Sequence, residues 1–184
     1  MIPLLEPAQY PAILANGLLI VVIIGIPTAL ISLVIFFVLE RIPFRLVRLF
    51  LPAAGAVLML YVTLLYFSGI PQSPEEYQRT WVPIMMTSFL LNALVILAPF
   101  PFIRKYTDAF SPYIVIPFTV LVTFFLLVAF GIIGGDAQRP PATEYAQMIA
   151  MVSQVIAEVV VAAFVYGGFA WLGTKRSIDS VRGD

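Results

Sequence analysis

The chain has 184 residues, of which 61% are hydrophobic and only 11% charged, with a mean hydropathy of +1.03; soluble domains carry roughly a quarter charged residues. Ten Lys and Arg balance ten Asp and Glu, so no basic field exists to attract nucleic acid, which is excluded as a partner class. The absence of Cys and His removes disulfides, thiolate nucleophiles, iron–sulfur and His-ligated haem sites, most zinc sites and the usual His general base, so no cofactor and no metal are expected.

Charged residues divide the chain into long neutral stretches. Crossing ~30 Å of hydrocarbon takes ~20 apolar residues at 1.5 Å each, and five stretches qualify: about 11–39, 46–67, 81–103, 113–133 and 146–172. They are apolar on every face, which suits helices and not the alternating short strands of a barrel. The expected fold class is an all-α integral membrane protein, a single polytopic domain over 1–184 with five transmembrane helices.

The first span lacks a basic segment before it and is too long for a signal-peptide core, so a retained helix is expected. Gly25 and Pro27 can kink it and free the carbonyl of Ile23, while Thr28 and Ser32 place hydrogen-bonding groups near its middle. Arg41, Arg45 and Arg48 follow at spacings of four and three, on one side of any helix continuing into the second span. They serve either as a topology signal or as a grip on anionic lipid headgroups.

The second span carries the small residues Ala53, Ala54, Gly55 and Ala56, and the third carries Ser88 and Asn92 before Pro99 and Pro101 close it. In the fourth, Pro117 can free the Tyr113 carbonyl, and Thr119 and Thr123 sit near mid-depth; Phe124, Phe125 and Phe130 are expected to face lipid or fill packing space. Trp81, Trp171, Tyr77 and Tyr145 fit interfacial anchors.

Glu158, about halfway along the fifth span, is the only formal charge well inside any of the five. An ionised carboxylate there costs several kcal/mol, so it is expected to be neutral or partnered, and no Lys or Arg lies deep enough to partner it. Gln147, Met151, Gln154, Glu158 and Ala162 follow one another at spacings of four, three, four and four, which makes a polar seam on one helix face. A cluster of Glu158, Asn92 and Thr123, with Gln154 nearby, reads as a proton or cation site; the plainer reading is a protonated Glu158 that hydrogen-bonds a neighbouring helix, at ~0.6 kcal/mol. A second stripe, Ala146, Ala150, Ser153, Ala157, Ala163 and Gly167, permits close helix approach, either inside the chain or between subunits.

Lys and Arg fall eight to two on alternate sides of the spans, which predicts an outside N-terminus and a cytoplasmic C-terminus, with the plasma (inner) membrane as the expected location. Glu6-Pro7-Ala8-Gln9-Tyr10, Pro74-Glu75-Glu76-Tyr77-Gln78 and Thr143-Glu144-Tyr145-Ala146-Gln147 recur with tyrosines 67 or 68 residues apart. This is either a parallel repeat of helical hairpins or the convergence of interfacial Tyr with acidic helix starts.

Three functions remain. With little chain outside the bilayer, the first is a non-enzymatic helix-packing subunit of a homo- or hetero-oligomeric membrane complex, its partners being lipid, itself or other membrane subunits. The alternative is a small proton- or cation-coupled carrier or channel with Glu158 as its midplane site. A lipid-acting enzyme would have to draw on Glu158, Glu40 and Asp108, a thin set, and no enzyme is expected.

Overall fold

The computed structural model describes residues 10–68, 74–107, 109–130, 132 and 144–182. In chain order these form α1 (Tyr10–Ile20), a π turn (Val21–Gly25), α2 (Ile26–Glu40), α3 (Arg45–Ser68), α4 (Pro74–Leu97), α5 (Phe100–Ile103), a 3-10 turn (Arg104–Tyr106), α6 (Pro112–Ala129) and α7 (Glu144–Arg182). Among the described residues there is no strand. Five segments are long and apolar enough to cross a membrane: Gly17–Glu40, Arg45–Leu65, Met85–Tyr106, Pro112–Ala129 and Met148–Lys175. The protein is a multi-pass integral membrane protein.

Departures from the sequence reading have local causes. Pro27 does not break the first span, because the π turn before it absorbs the perturbation: Ile26 N–H bonds the Val21 carbonyl, five residues back. The helix does not continue into the second span either. Arg41 caps α2 and the chain is non-helical until Arg45, where Pro43 interrupts it, so Arg41, Arg45 and Arg48 do not lie on one helix. Arg41 instead stacks over the Phe37 ring at 4.4 Å. In the third span α4 ends at Leu97, just before Pro99, but the span is not closed there: it runs on through Pro99 and Pro101 to Tyr106. Pro99 keeps helical torsions (φ −70°, ψ −27°) and caps the short α5. The fourth span stops at Ala129 rather than near 133, and α7 stays helical through Arg182, ten residues beyond the expected end of the fifth.

Four helices make a closed ring of contacts, α2 to α4 to α7 to α6 and back to α2. The ring encloses one axis. α3 lies outside it against α4, where its small residues allow close approach: a Cβ built on Gly55 would stand 3.3 Å from Leu94 Cδ1. Since α2 packs on α4 and α6 rather than on α3, the first two spans do not form the closed hairpin that a hairpin repeat implies. Residues 6–9, 71–73 and 134–143 lie outside the described residues, as do the side chains of Tyr10, Tyr77 and Tyr145, while 74–80 already belong to α4 and are not loop.

In a bilayer, burying apolar surface between helices removes it from lipid, not from water, so the bundle is held by close packing and hydrogen bonds. The core contains Ala29, Phe36, Leu39, Ile96, Leu97, Phe100, Val115, Ile116, Val120, Phe124, Ala162 and Tyr166. Phe124 is buried among them, whereas Phe125 and Phe130 are exposed. At one end the core becomes aromatic: Phe36 meets Phe100 edge-on at 5.6 Å and Tyr113 at 6.2 Å, and Phe100 meets Tyr166 at 5.2 Å. Beyond this plug, Arg104 pairs with Glu40 and lies over the Phe36 ring at 5.4 Å. A Cβ on Gly173 would come within 3.1 Å of the Tyr106 carbonyl, so α7 closes tightly on the 3-10 turn. Arg41, Arg104, Lys105 and Lys175 therefore gather on one side of the bundle, called the basic side below.

Candidate functional site

The aromatic plug sets the relative register of three parallel helices. Phe36, Phe100 and Tyr166 meet through their rings; eight residues earlier on α2 and α7, about 12 Å along the axis, stand Thr28 and Glu158, and Asn92 stands near the end of α4, eight residues before Phe100 and across the turn that separates α4 from α5. All three are buried. The antiparallel α6 supplies Thr123, ten residues beyond Tyr113, whose ring touches Phe36; this puts it within a turn of Thr28's level. Against α7 it lies between Tyr166 and Glu158, since Tyr166 faces Thr119. Glu158, Asn92 and Thr123, together with Thr28, thus fall within about one helical turn of a common level of the bundle.

Glu158 has no exposed surface. Its Oε1 accepts a hydrogen bond from Gln154 Nε2 at 2.8 Å, the i to i+4 geometry that the seam predicts. Its Oε2 has no partner. Measured along the span Met148–Lys175, the carboxyl is about 15 Å from one end and about 26 Å from the other, deep in hydrocarbon. Moving outward along the seam, Gln154 and Met151 are half-buried, and the side chain of Gln147 lies outside the described residues.

The buried hydroxyls divide into two groups. Of the six buried Ser and Thr side chains among the described residues, four return a hydrogen bond to their own backbone: Ser32 to the Thr28 carbonyl at 2.8 Å, Thr63 to Met59 at 2.6 Å, Thr107 to Arg104 at 2.9 Å and Thr119 to Val115 at 2.8 Å. That local bond is the ordinary way for a membrane helix to satisfy a hydroxyl. Thr28 and Thr123 depart from it, and their hydroxyls have no partner. Thr28 has a structural reason to differ, since it follows the π turn and Pro27. Pro27 has no N–H, which leaves one carbonyl of that turn without its intrahelical donor. An unpaired polar group in this setting costs about 1–3 kcal/mol, yet three of them lie within about one helical turn of a common level.

The Tyr166 hydroxyl is also buried, facing Thr119 without a hydrogen bond of normal geometry. Sequence reading missed Tyr166 because a tyrosine in an apolar run resembles bulk. The usable signal was its spacing, since Glu158, Ala162 and Tyr166 follow at intervals of four and continue the seam. Of the other mid-depth candidates, Ser32 and Thr119 are buried and self-bonded, whereas Ser88 is half-buried.

The two small-residue stripes behave differently. On α3 Gly55 packs against Leu94 inside the chain, with Ala53 and Ala56 half-buried and Ala54 exposed, but on α7 Ala150, Ser153 and Gly167 are exposed and Ala157 and Ala163 half-buried. A Cβ on Gly167 or Gly168 would meet nothing within 4 Å. This stripe therefore does not make the intrachain contact, while Ala162, on the opposite face, does. The side chain of Ala146 lies outside the described residues. Arg41 and Arg45 are exposed, Arg48 is half-buried, and Trp171 is exposed beneath Lys175, 5.6 Å from its ring. The side chain of Trp81 and the whole of Asp108 lie outside the described residues. Glu40, one of the three carboxylates weighed for lipid chemistry, is engaged by Arg104.

No group of three or more metal-binding side chains occurs among the described residues. No protein-family model matches the chain, and neither a curated protein nor a solved structure is detectably similar to it.

Proposed function

We propose that the protein is a small, non-enzymatic ion-handling membrane protein, a carrier or channel component in which Glu158 exchanges a proton or a cation at mid-depth. The observation that carries this reading is the unpartnered Glu158 Oε2 at the level of two unpartnered hydroxyls. A purely structural acid would be expected to bond a neighbouring helix. Exchange runs along the half-buried Gln154 and Met151 seam, away from the basic side, because the ring contacts of Phe36, Phe100 and Tyr166 seal the other direction. By the positive-inside rule the basic side faces the cytoplasm and the membrane is the plasma membrane.

Glu158→Gln tests this. The amide keeps the shape and can still pair with Gln154, so the variant should fold while proton or cation flux in liposomes falls to background. Undiminished flux in the variant removes Glu158 from the function.

A second reading, a packing subunit of a larger assembly, is favoured by the outward-facing stripe of Ala150, Ser153 and Gly167. Close backbone approach between copies is what such a surface permits. Gly167→Ile should then dissociate the complex in mild detergent while the fold is unaffected, as an exposed substitution normally shifts stability by within about 0.5 kcal/mol; an unchanged assembly size would exclude that surface.

A further inference from the structure

The choice between proton and cation can be argued from the number of donors. A protonated carboxyl offers a single O–H, and one acceptor satisfies it. Two buried threonines held off their own backbones are more than a proton needs. A hard cation, in contrast, takes several oxygens from carboxylates, hydroxyls and carbonyls. This level offers Glu158 Oε2 and the hydroxyls of Thr28 and Thr123, all fully buried and unpartnered. It also offers the amide of Asn92, which is buried.

The charge count narrows the class. On the packed elements, Arg79 of α4 is about 20 Å from the level of Asn92, and Glu75 and Glu76 are further away still. Arg104 and Lys105 in the 3-10 turn, and Glu40 on α2, are about 18 Å away in the other direction or slightly more. Tyr113 of α6 and Tyr166 of α7 lie toward the plug. One carboxylate is therefore the only charge at this depth among the described residues. It neutralises a monovalent ion completely and leaves a divalent ion with a net positive charge in hydrocarbon, which the bilayer disfavours.

From this we infer that Glu158, Thr28, Thr123 and Asn92 form a site for a dehydrated monovalent alkali cation that competes with a proton for the Glu158 carboxylate. The inference rests on the reading of Glu158 as an exchangeable group, and the test separates the two. The full chain in liposomes is treated with a hydrophobic carbodiimide, which reacts only with a protonated carboxyl, and labelling of Glu158 is followed by mass spectrometry over a pH series in choline, sodium, potassium or calcium buffer.

Labelling should decline as pH rises in choline. At a fixed pH, sodium or potassium at about ten times its Kd should slow labelling about tenfold, and calcium should not. Thr28→Val with Thr123→Val should abolish the protection while leaving the pH dependence, and Thr28→Ser with Thr123→Ser should restore it. If labelling follows pH but neither alkali ion protects, or only calcium does, the cation inference fails and the proton reading stands. Full protection in the double valine variant would overturn the donor set. Should Glu158 remain unlabelled at every pH, the reading of an exchangeable acid fails with it.

Discussion

The two ends of the four-helix ring are built on opposite rules. Toward the basic side the described groups are satisfied with one exception, the Tyr166 hydroxyl: aromatic edges meet aromatic faces, Glu40 has Arg104, and Ser32, Thr107 and Thr119 bond to their own backbones. Twelve ångströms or so along the helices, the same ring encloses a carboxyl oxygen and two hydroxyls with nothing to bond. One end is therefore organised for stability, and the other keeps bonding capacity in reserve for something that arrives.

Truncating the plug is the strongest way to break this contrast. Phe100 is fully buried and contacts both Phe36 and Tyr166. In a bilayer the water-transfer part of its burial is missing but the cavity part remains, so Phe100→Ala should cost about 3 kcal/mol, the low end of the usual range for this change. Unfolding titration in mixed micelles measures this, and the variant should also leak ions toward the basic side. A stable and tight variant would mean that the seal lies elsewhere.

A much smaller effect is expected from Arg104→Gln. Both partners are substantially exposed, at 40% and 33%, so losing the pair should cost less than about 1 kcal/mol, and less again in high salt. A larger loss would show that the ion pair, and not the rings, holds the plug closed.

Much of this arrangement was legible in the sequence because hydrocarbon thickness and charge avoidance constrain it so strongly. The five spans, the depth of Glu158 and its bond to Gln154 all follow from counting residues. Facing directions were harder to read. A span that is apolar all round carries no amphipathic signal, so only a polar side chain reports which way it turns: Glu158 located the inner face of α7, whereas the alanines and glycines of the same helix could equally have pointed in or out. The distinction between Thr28 and Ser32, one turn apart on one face, depends on which backbone carbonyl each hydroxyl reaches. That is a property of the π turn, which Pro27 and Gly25 hint at without specifying.

The π turn also explains how the first span fits its neighbour. Gly17 and Gly25 both nestle against α6, one beside Val128 and the other beside Leu121 and Phe124. In an unbroken α-helix these glycines would be about 80° apart around the axis, and the extra residue of a π turn rotates the phase back by roughly 100°. The widened turn thus brings both notches onto the same longitude. Removing a single residue between Val21 and Gly25 would swing one of them away and set a side chain where a bare backbone now lies.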